Sequence, residues 1–310
     1  MISQQYLVHQ DRSTVAEVFE PIVSAMTAWA QGDPNVQAAV ILGSMANPGS
    51  TTDAFSDLDL TLVVNDLQPF IDDPTWFALF APYHTHYRES ADIGAGIMDK
   101  VILDSFRMFD LSVFSIADLQ QWMDESTDSK QASQGFFRSS LLVLVDKLGI
   151  VQALTQDTDI DAIMYACDQP PGQAEYQTVV ATFWYYMLRS IKHLHRGDWW
   201  RTAMTCNREL REPLLQMAIW QAKVAYGWHY DTLYEGRYIQ RWATPQVQEA
   251  LPATYPQFDA DSLRDALIAT VDLFTQLDEQ IAPALGCSYP DTGVEPIRAH
   301  VLSMLRNFDI

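Results

Sequence analysis

The sequence predicts an α/β domain followed by an all-α domain. Two observations predict it. Apolar runs with the two-residue alternation of strands occupy the first half of the chain, and beyond the pair Pro170-Pro171 apolar and aromatic residues recur at helical spacing. A chain of 310 residues is long for a single core, and its 48% hydrophobic content suffices for two. The boundary is expected between residues 168 and 169, at the start of DQPPGQ (Asp168 to Gln173), because consecutive prolines cannot sit in a helix interior.

In the first domain, Val15, Val18, Phe19, Ile22, Val23, Met26 and Trp29 form a helical stripe over residues 14–31, suited to packing on a sheet. Ser13 or Thr14 is placed to cap it. Ala38 to Leu42 reads as a strand, and a second strand starts at Asp57 and runs to Val64. Residues 74–80 read as a short helix and 82–100 as an irregular polar segment broken by Pro82, Gly94 and Gly96. Val101 to Asp104 and Phe106 to Phe114 read as paired strands, 116–124 as a helix, 125–135 as a polar loop and Leu141 to Val145 as a fifth strand. In the second domain helices are expected over 176–196, 211–225, 262–285 and 294–307. The first of them carries Val179, Val180, Phe183, Trp184, Met187, Leu188 and Ile191 at core spacing.

The chemistry concentrates in VILGSMANPGSTTDAFSDLDLTLVV, Val40 to Val64. Side chains alternate between the faces of a strand, so Asp57 and Asp59 share one face while Leu58, Leu60 and Leu62 take the other. Two carboxylates that close repel unless a cation lies between them, and hard oxygen ligands suit Mg²⁺. Gly43 permits a tight turn and a close backbone approach, and Ser44 offers a hydroxyl and an N–H to a phosphate. In FRMFDLSVF, alternation puts Asp110 with Phe106, Met108 and Ser112, opposite Arg107, Phe109 and Leu111. An aspartate in an apolar strand needs a metal or a cation beside it, which makes Asp110 the third carboxylate and a candidate general base.

The bulk numbers narrow the class. A formal net charge of −21 argues against a nucleic-acid partner, whose phosphates need clustered Lys and Arg, and favours attraction of a cationic small molecule. Cys167, Cys206 and Cys287 have no metal-ligand spacing and fit buried thiols in a reducing compartment. No run reaches the eighteen or so apolar residues of a membrane span, and the N-terminus lacks a signal pattern, so a cytoplasmic protein without membrane contact is expected.

The Gly-Ser turn followed by Asp-apolar-Asp-apolar resembles the signature of the DNA polymerase β-like nucleotidyltransferases. The segments Gly43 to Val64, DLSVF (Asp110 to Phe114), VLVDKLG (Val143 to Gly149), FWYYMLRSIKHLHRGD (Phe183 to Asp198), ELREPLLQMAIWQ (Glu209 to Gln221) and LFTQLDEQIAPALGCSYP (Leu273 to Pro290) are similar, in order and spacing, to the streptomycin 6-adenylyltransferases. That resemblance implies a mixed, polymerase β-like sheet followed by a helical domain. It also implies transfer of AMP from ATP to a hydroxyl of an aminoglycoside, streptomycin first. Asp57, Asp59 and Asp110 would hold two Mg²⁺ ions, Gly43 and Ser44 would form the triphosphate turn, and Lys192 and Arg237 would reach the triphosphate. Arg237 stands where the family has lysine, and Met108 where it has the arginine two residues before the third aspartate. Glu89, Trp184, Asp198 and Glu235 are candidates to receive the drug's cationic groups. Transfer onto another small molecule or a protein side chain, and a catalytically silent nucleotide sensor, are the competing readings.

Overall fold

The computed structural model describes residues 12–46, 55–91, 94–124, 141–152, 169–289 and 294–308. The chain divides into two compact units, Met1–Cys167 and Asp168–Ile310.

The first unit opens with helix α1 (Arg12–Gly32), followed by strands β1 (Val36–Leu42) and β2 (Leu58–Val64). A short helix α2 (Gln68–Asp72) and a 3₁₀ turn (Trp76–Leu79) lead to β3 (Tyr83–Ser90), β4 (Ile97–Leu103) and β5 (Met108–Ser115). Helix α3 (Ile116–Asp124) and strand β6 (Leu141–Asp146) complete its described elements. The sheet order is β3-β4-β5-β2-β1-β6. β2 and β5 run parallel and every other neighbouring pair is antiparallel, so the sheet is mixed.

Strand alternation divides this unit into two layers of core. Leu58, Leu60 and Leu62 of β2 and Phe109, Leu111 and Val113 of β5 share a buried cluster with Phe19, Ile22, Met26 and Ala30 of α1. The opposite face buries Ala38, Val40 and Val63 against Leu119 of α3 and Val151. That cover lies toward the Val63 end of β2. Asp59 belongs to the same face at the strand's other end, paired with Leu42 at the margin of this cluster, so the alternation that buries the leucines leaves the aspartate half-buried on the opposite face.

Three expectations for this unit need correction. Residues 82–100 are not irregular: they form β3 and most of β4, joined through a turn at Gly94 (φ +53°). β3 is an edge strand with no fully buried residue on either face, which removes the apolar alternation by which strands are read. Phe106 is not in a strand but in the tight turn before β5, with φ +59° and its N–H bonded to the Leu103 carbonyl at 2.9 Å. The expected helix at 74–80 is only the 3₁₀ turn Trp76–Leu79. The loop expected at 125–135 lies outside the described residues.

The second unit is helical: α4 (Gln173–His195), α5 (Trp199–Asn207), α6 (Arg211–Tyr226), α7 (Ile239–Trp242), α8 (Pro245–Ala250), α9 (Ala260–Leu285) and α10 (Val294–Arg306). The helical stripe of α4 is its core face: Val180, Phe183, Trp184, Met187 and Ile191 are buried. Phe183 stacks on Phe274 of α9 at 3.6 Å between ring centroids. Asp259 caps the start of α9 by accepting from the Ser262 N–H at 2.8 Å, and Gly286 ends it in the left-handed conformation (φ +64°) that glycine adopts without strain. Cys206 and Cys287 are free thiols; Cys206 is buried and Cys287 half-buried. Among the described residues no helix is long and apolar enough to cross a membrane.

Candidate active site

The site is assembled by register. β2 and β5 are parallel neighbours in which Asp59 is the partner of Asp110, and the antiparallel β4–β5 pair sets Lys100 opposite Asp110. Lys100, Asp110 and Asp59 therefore form one row across three strands, on the face away from α1. Asp57 lies just before β2, and one oxygen from each of Asp57, Asp59 and Asp110 falls within 4.8 Å of the others. Leu42, Gly43, Asp59, Thr61, Lys100 and Asp110 line a cavity of about 210 Å³ in this unit.

The cluster carries uncompensated charge. Burial, then the charges of Asp57 and Asp110, push the Asp59 carboxyl up to about 7, with Lys100 acting the other way. Burial alone would lower the Lys100 ammonium. It is outweighed by the Asp110 hydrogen bond and the charges of Asp110, Glu89 and Asp59, which hold the ammonium above its usual range. Lys100 Nζ lies 2.5 Å from Asp110 Oδ2 and 4.0 Å from Glu89 Oε1.

Gly43 is required here for two reasons. Its φ of +71° is left-handed, and a Cβ at this position would stand 2.7 Å from Asp59 Oδ2. It opens a single 3₁₀ turn, Gly43–Met45, with Ser44 at its centre, closed by the Ala46 N–H donating to the Gly43 carbonyl at 3.2 Å. Glycine thus brings the backbone against a carboxylate that any larger residue would displace.

The three carboxylates suit a divalent cation. They offer only hard oxygen donors, and oxygens sharing an ion at about 2.1 Å lie no more than about 4.2 Å apart. Oxygens within 4.8 Å of one another stand close to that limit. The raised Asp59 carboxyl reflects burial first and then the charges of Asp57 and Asp110, and a bound cation offsets both.

The other expected site residues are distributed as follows. Glu89, on β3, joins the cluster through Lys100. Lys192 is exposed in the last turn of α4 in the second unit. Arg237 is exposed there too; it and Arg241 lie 5.2 and 4.2 Å from the ring of Tyr238. Glu235 is exposed with a left-handed backbone (φ +50°). Asp198 caps α5, accepting from the Arg201 N–H at 3.2 Å, and lies 3.6 Å from His193 Nδ1 and from Arg201 Nε. Trp184 is 3% exposed, packed edge-on to Phe183 and Phe274. Its ring is core, and the expected contact with a drug cation is not available to it.

Lys100 was not among the expected residues. Its signal is the alternation of IMDKVIL, which puts Met98, Lys100 and Ile102 on one face of β4; a strand begun at Val101 hides it. The cation beside Asp110 therefore comes from the neighbouring strand. Met108, where the resemblance calls for arginine, is an exposed apolar side chain.

An aminoglycoside 6-adenylyltransferase of Campylobacter jejuni is 22% identical over 283 residues, covering 88% of this chain and 90% of that protein. One from Bacillus subtilis is 19% identical over 269 residues, covering 85% and 89%. Among solved structures, an aminoglycoside 6-adenyltransferase from Bacillus subtilis aligns over 93% of this chain and 96% of its own at 15% identity and a TM-score of 0.41. The model of the family described as streptomycin adenylyltransferase matches residues 17–304, nearly the whole sequence, and the chain belongs to that family.

Proposed function

We propose that this adenylyltransferase-family chain moves AMP from ATP to a hydroxyl of an aminoglycoside in the cytoplasm, with streptomycin the leading acceptor. The observation that carries the reading is the convergence of Asp57, Asp59 and Asp110 beside the Gly43 turn. Magnesium ions, one on Asp57 and Asp59 and a second shared with Asp110, would neutralise these carboxylates together with the phosphate charge and lower the pKa of the acceptor hydroxyl. The remaining roles belong to the chain. Gly43 and Ser44 let the triphosphate approach the backbone, and Lys192 and Arg237 of the second unit bind its β and γ phosphates. Arginine there grips phosphate as a fork where lysine would act as a point charge. Asp110 accepts the proton of the acceptor hydroxyl as its oxygen bonds to the α phosphorus and the bond to the β phosphate breaks, releasing pyrophosphate. Positioning and charge neutralisation supply the rate, with no covalent enzyme intermediate.

Glu89, Asp198 and Glu235 are the carboxylates proposed to receive the drug's guanidinium or ammonium groups; Trp184 is left out of this set because it is core. The net charge of −21 draws such a cation toward the protein before contact. The test is to incubate the protein with ATP, Mg²⁺ and a panel of aminoglycosides, measuring pyrophosphate and the product mass. Pyrophosphate together with a product heavier by one AMP is expected, streptomycin turning over fastest. Turnover of no member of the panel contradicts the aminoglycoside reading and directs the search to another acceptor.

A further inference from the structure

We propose that Lys100 is a positioning residue of the metal centre: its ammonium competes with a divalent cation for Asp110 and so sets how tightly the three carboxylates take up metal. The inference rests on the metal-dependent reading of that centre. Three observations carry it. Strand register places Lys100 directly across from Asp110 on the cavity-lining face, so its position follows from the fold and not from a chance side-chain pose. Nζ lies 2.5 Å from Oδ2 of Asp110, one of the three carboxylates that could share a divalent ion. Both partners are mostly shielded from water, with side-chain exposures of 28% and 20%, so their interaction is screened less than that of an open surface pair.

An ammonium and a divalent cation drawn to one carboxylate repel each other, so each weakens the other's hold on it. Lys100 has somewhere to go. Glu89 Oε1 stands 4.0 Å from Nζ on the side of β4 away from β5. A small rotation of the lysine exchanges Asp110 for Glu89 and frees Asp110 for metal. Without metal, Lys100 keeps the carboxylates gathered; with metal, it is the competitor that must be displaced.

The experiment is a Mn²⁺ titration of the full chain without nucleotide, at fixed pH and ionic strength. Free Mn²⁺ is read by electron paramagnetic resonance, and melting curves check that each variant is folded. Lys100→Met is expected to bind Mn²⁺ about tenfold more tightly than the unaltered protein, because a neighbouring positive charge is gone. Lys100→Gln should behave in the same way, and Lys100→Arg should stay near the unaltered affinity. Asp59→Asn should bind at least about tenfold more weakly. If Lys100→Met and Lys100→Gln bind no more tightly than the unaltered protein while Asp59→Asn weakens, Lys100 is only a structural ion-pair partner and the proposal falls alone. If Asp59→Asn binds Mn²⁺ as well as the unaltered protein, the metal reading fails and takes the proposal with it.

Discussion

At the scale of single residues, the candidate site is a place where clustered charge opposes stability. Asp59 is held beside two other carboxylates, and its carboxyl lies near 7 instead of the usual 3.8. A folded-state pKa raised above the unfolded value contributes stability below about pH 4 and loses it as pH rises through about 7. Above that, the ionised group is a liability of the metal-free fold, worth on the order of 2–4 kcal/mol. Asp59→Asn should therefore melt higher than the unaltered protein at pH 8 without metal, with the gap shrinking toward pH 4. Mg²⁺ should raise the unaltered protein's melting temperature at pH 8 and the variant's by less. Scanning calorimetry at several pH values checks this; a variant that melts lower at pH 8 would show that the carboxylates do not strain one another. Asp57 and Asp59 stand out in the sequence by their two-residue spacing and Asp110 by its place in an apolar strand, and the structure brings the three together. Lys100 does not stand out, since a lysine near a polar segment looks like any solvated cation until strand register sets it across from Asp110.

At the scale of elements, the β3–β4 hairpin is what the sequence hid and what the site needs. Asp99, fully buried on the α1 side of β4, accepts from Arg88 Nε and Nη2 of β3 at 2.8 Å each and from the Trp76 indole N–H at 3.1 Å. This charged clamp ties the edge strand and the Trp76 turn to β4, and the next residue along β4 is Lys100. Asp99→Ala leaves a largely buried guanidinium and an indole N–H without their acceptor, and should cost about 3–5 kcal/mol. The paired change Arg88→Met with Asp99→Leu should cost less, because no lone charge remains. Urea unfolding followed by tryptophan fluorescence measures both; equal losses would mean that the clamp is not a coupled unit. β2, β5 and the long helices of the second unit were readable because their buried residues recur at period two or 3.6. β3 and α5 were not. Each exposes several of its large side chains, Tyr87 in one and Trp200 in the other, so neither displays a clean apolar period.

At the scale of the molecule, sequence and structure divide the labour between two units of different character. The mixed sheet of the first gathers the carboxylates, and the helical second unit carries the exposed cations Lys192 and Arg237. Pro170-Pro171 break helical periodicity, which is why the sequence reading puts a boundary there; the compact units divide at Cys167 and Asp168. Acceptor identity was not legible, because it depends on carboxylates such as Glu89 and Glu235 whose neighbourhoods carry no fixed motif. The net charge of −21 makes the chain as a whole attractive to cations, so bound metal speaks for a centre only where an Asp59 variant weakens it or the position of the ion ties it to these carboxylates. The most direct measurement is anomalous diffraction from crystals of the full chain grown with Mn²⁺ and a non-hydrolysable ATP analogue. We predict a Mn²⁺ peak about 2.1 Å from oxygens of both Asp57 and Asp59, with the analogue's phosphates over Gly43. A peak away from these carboxylates, or a nucleotide bound elsewhere, would contradict the account.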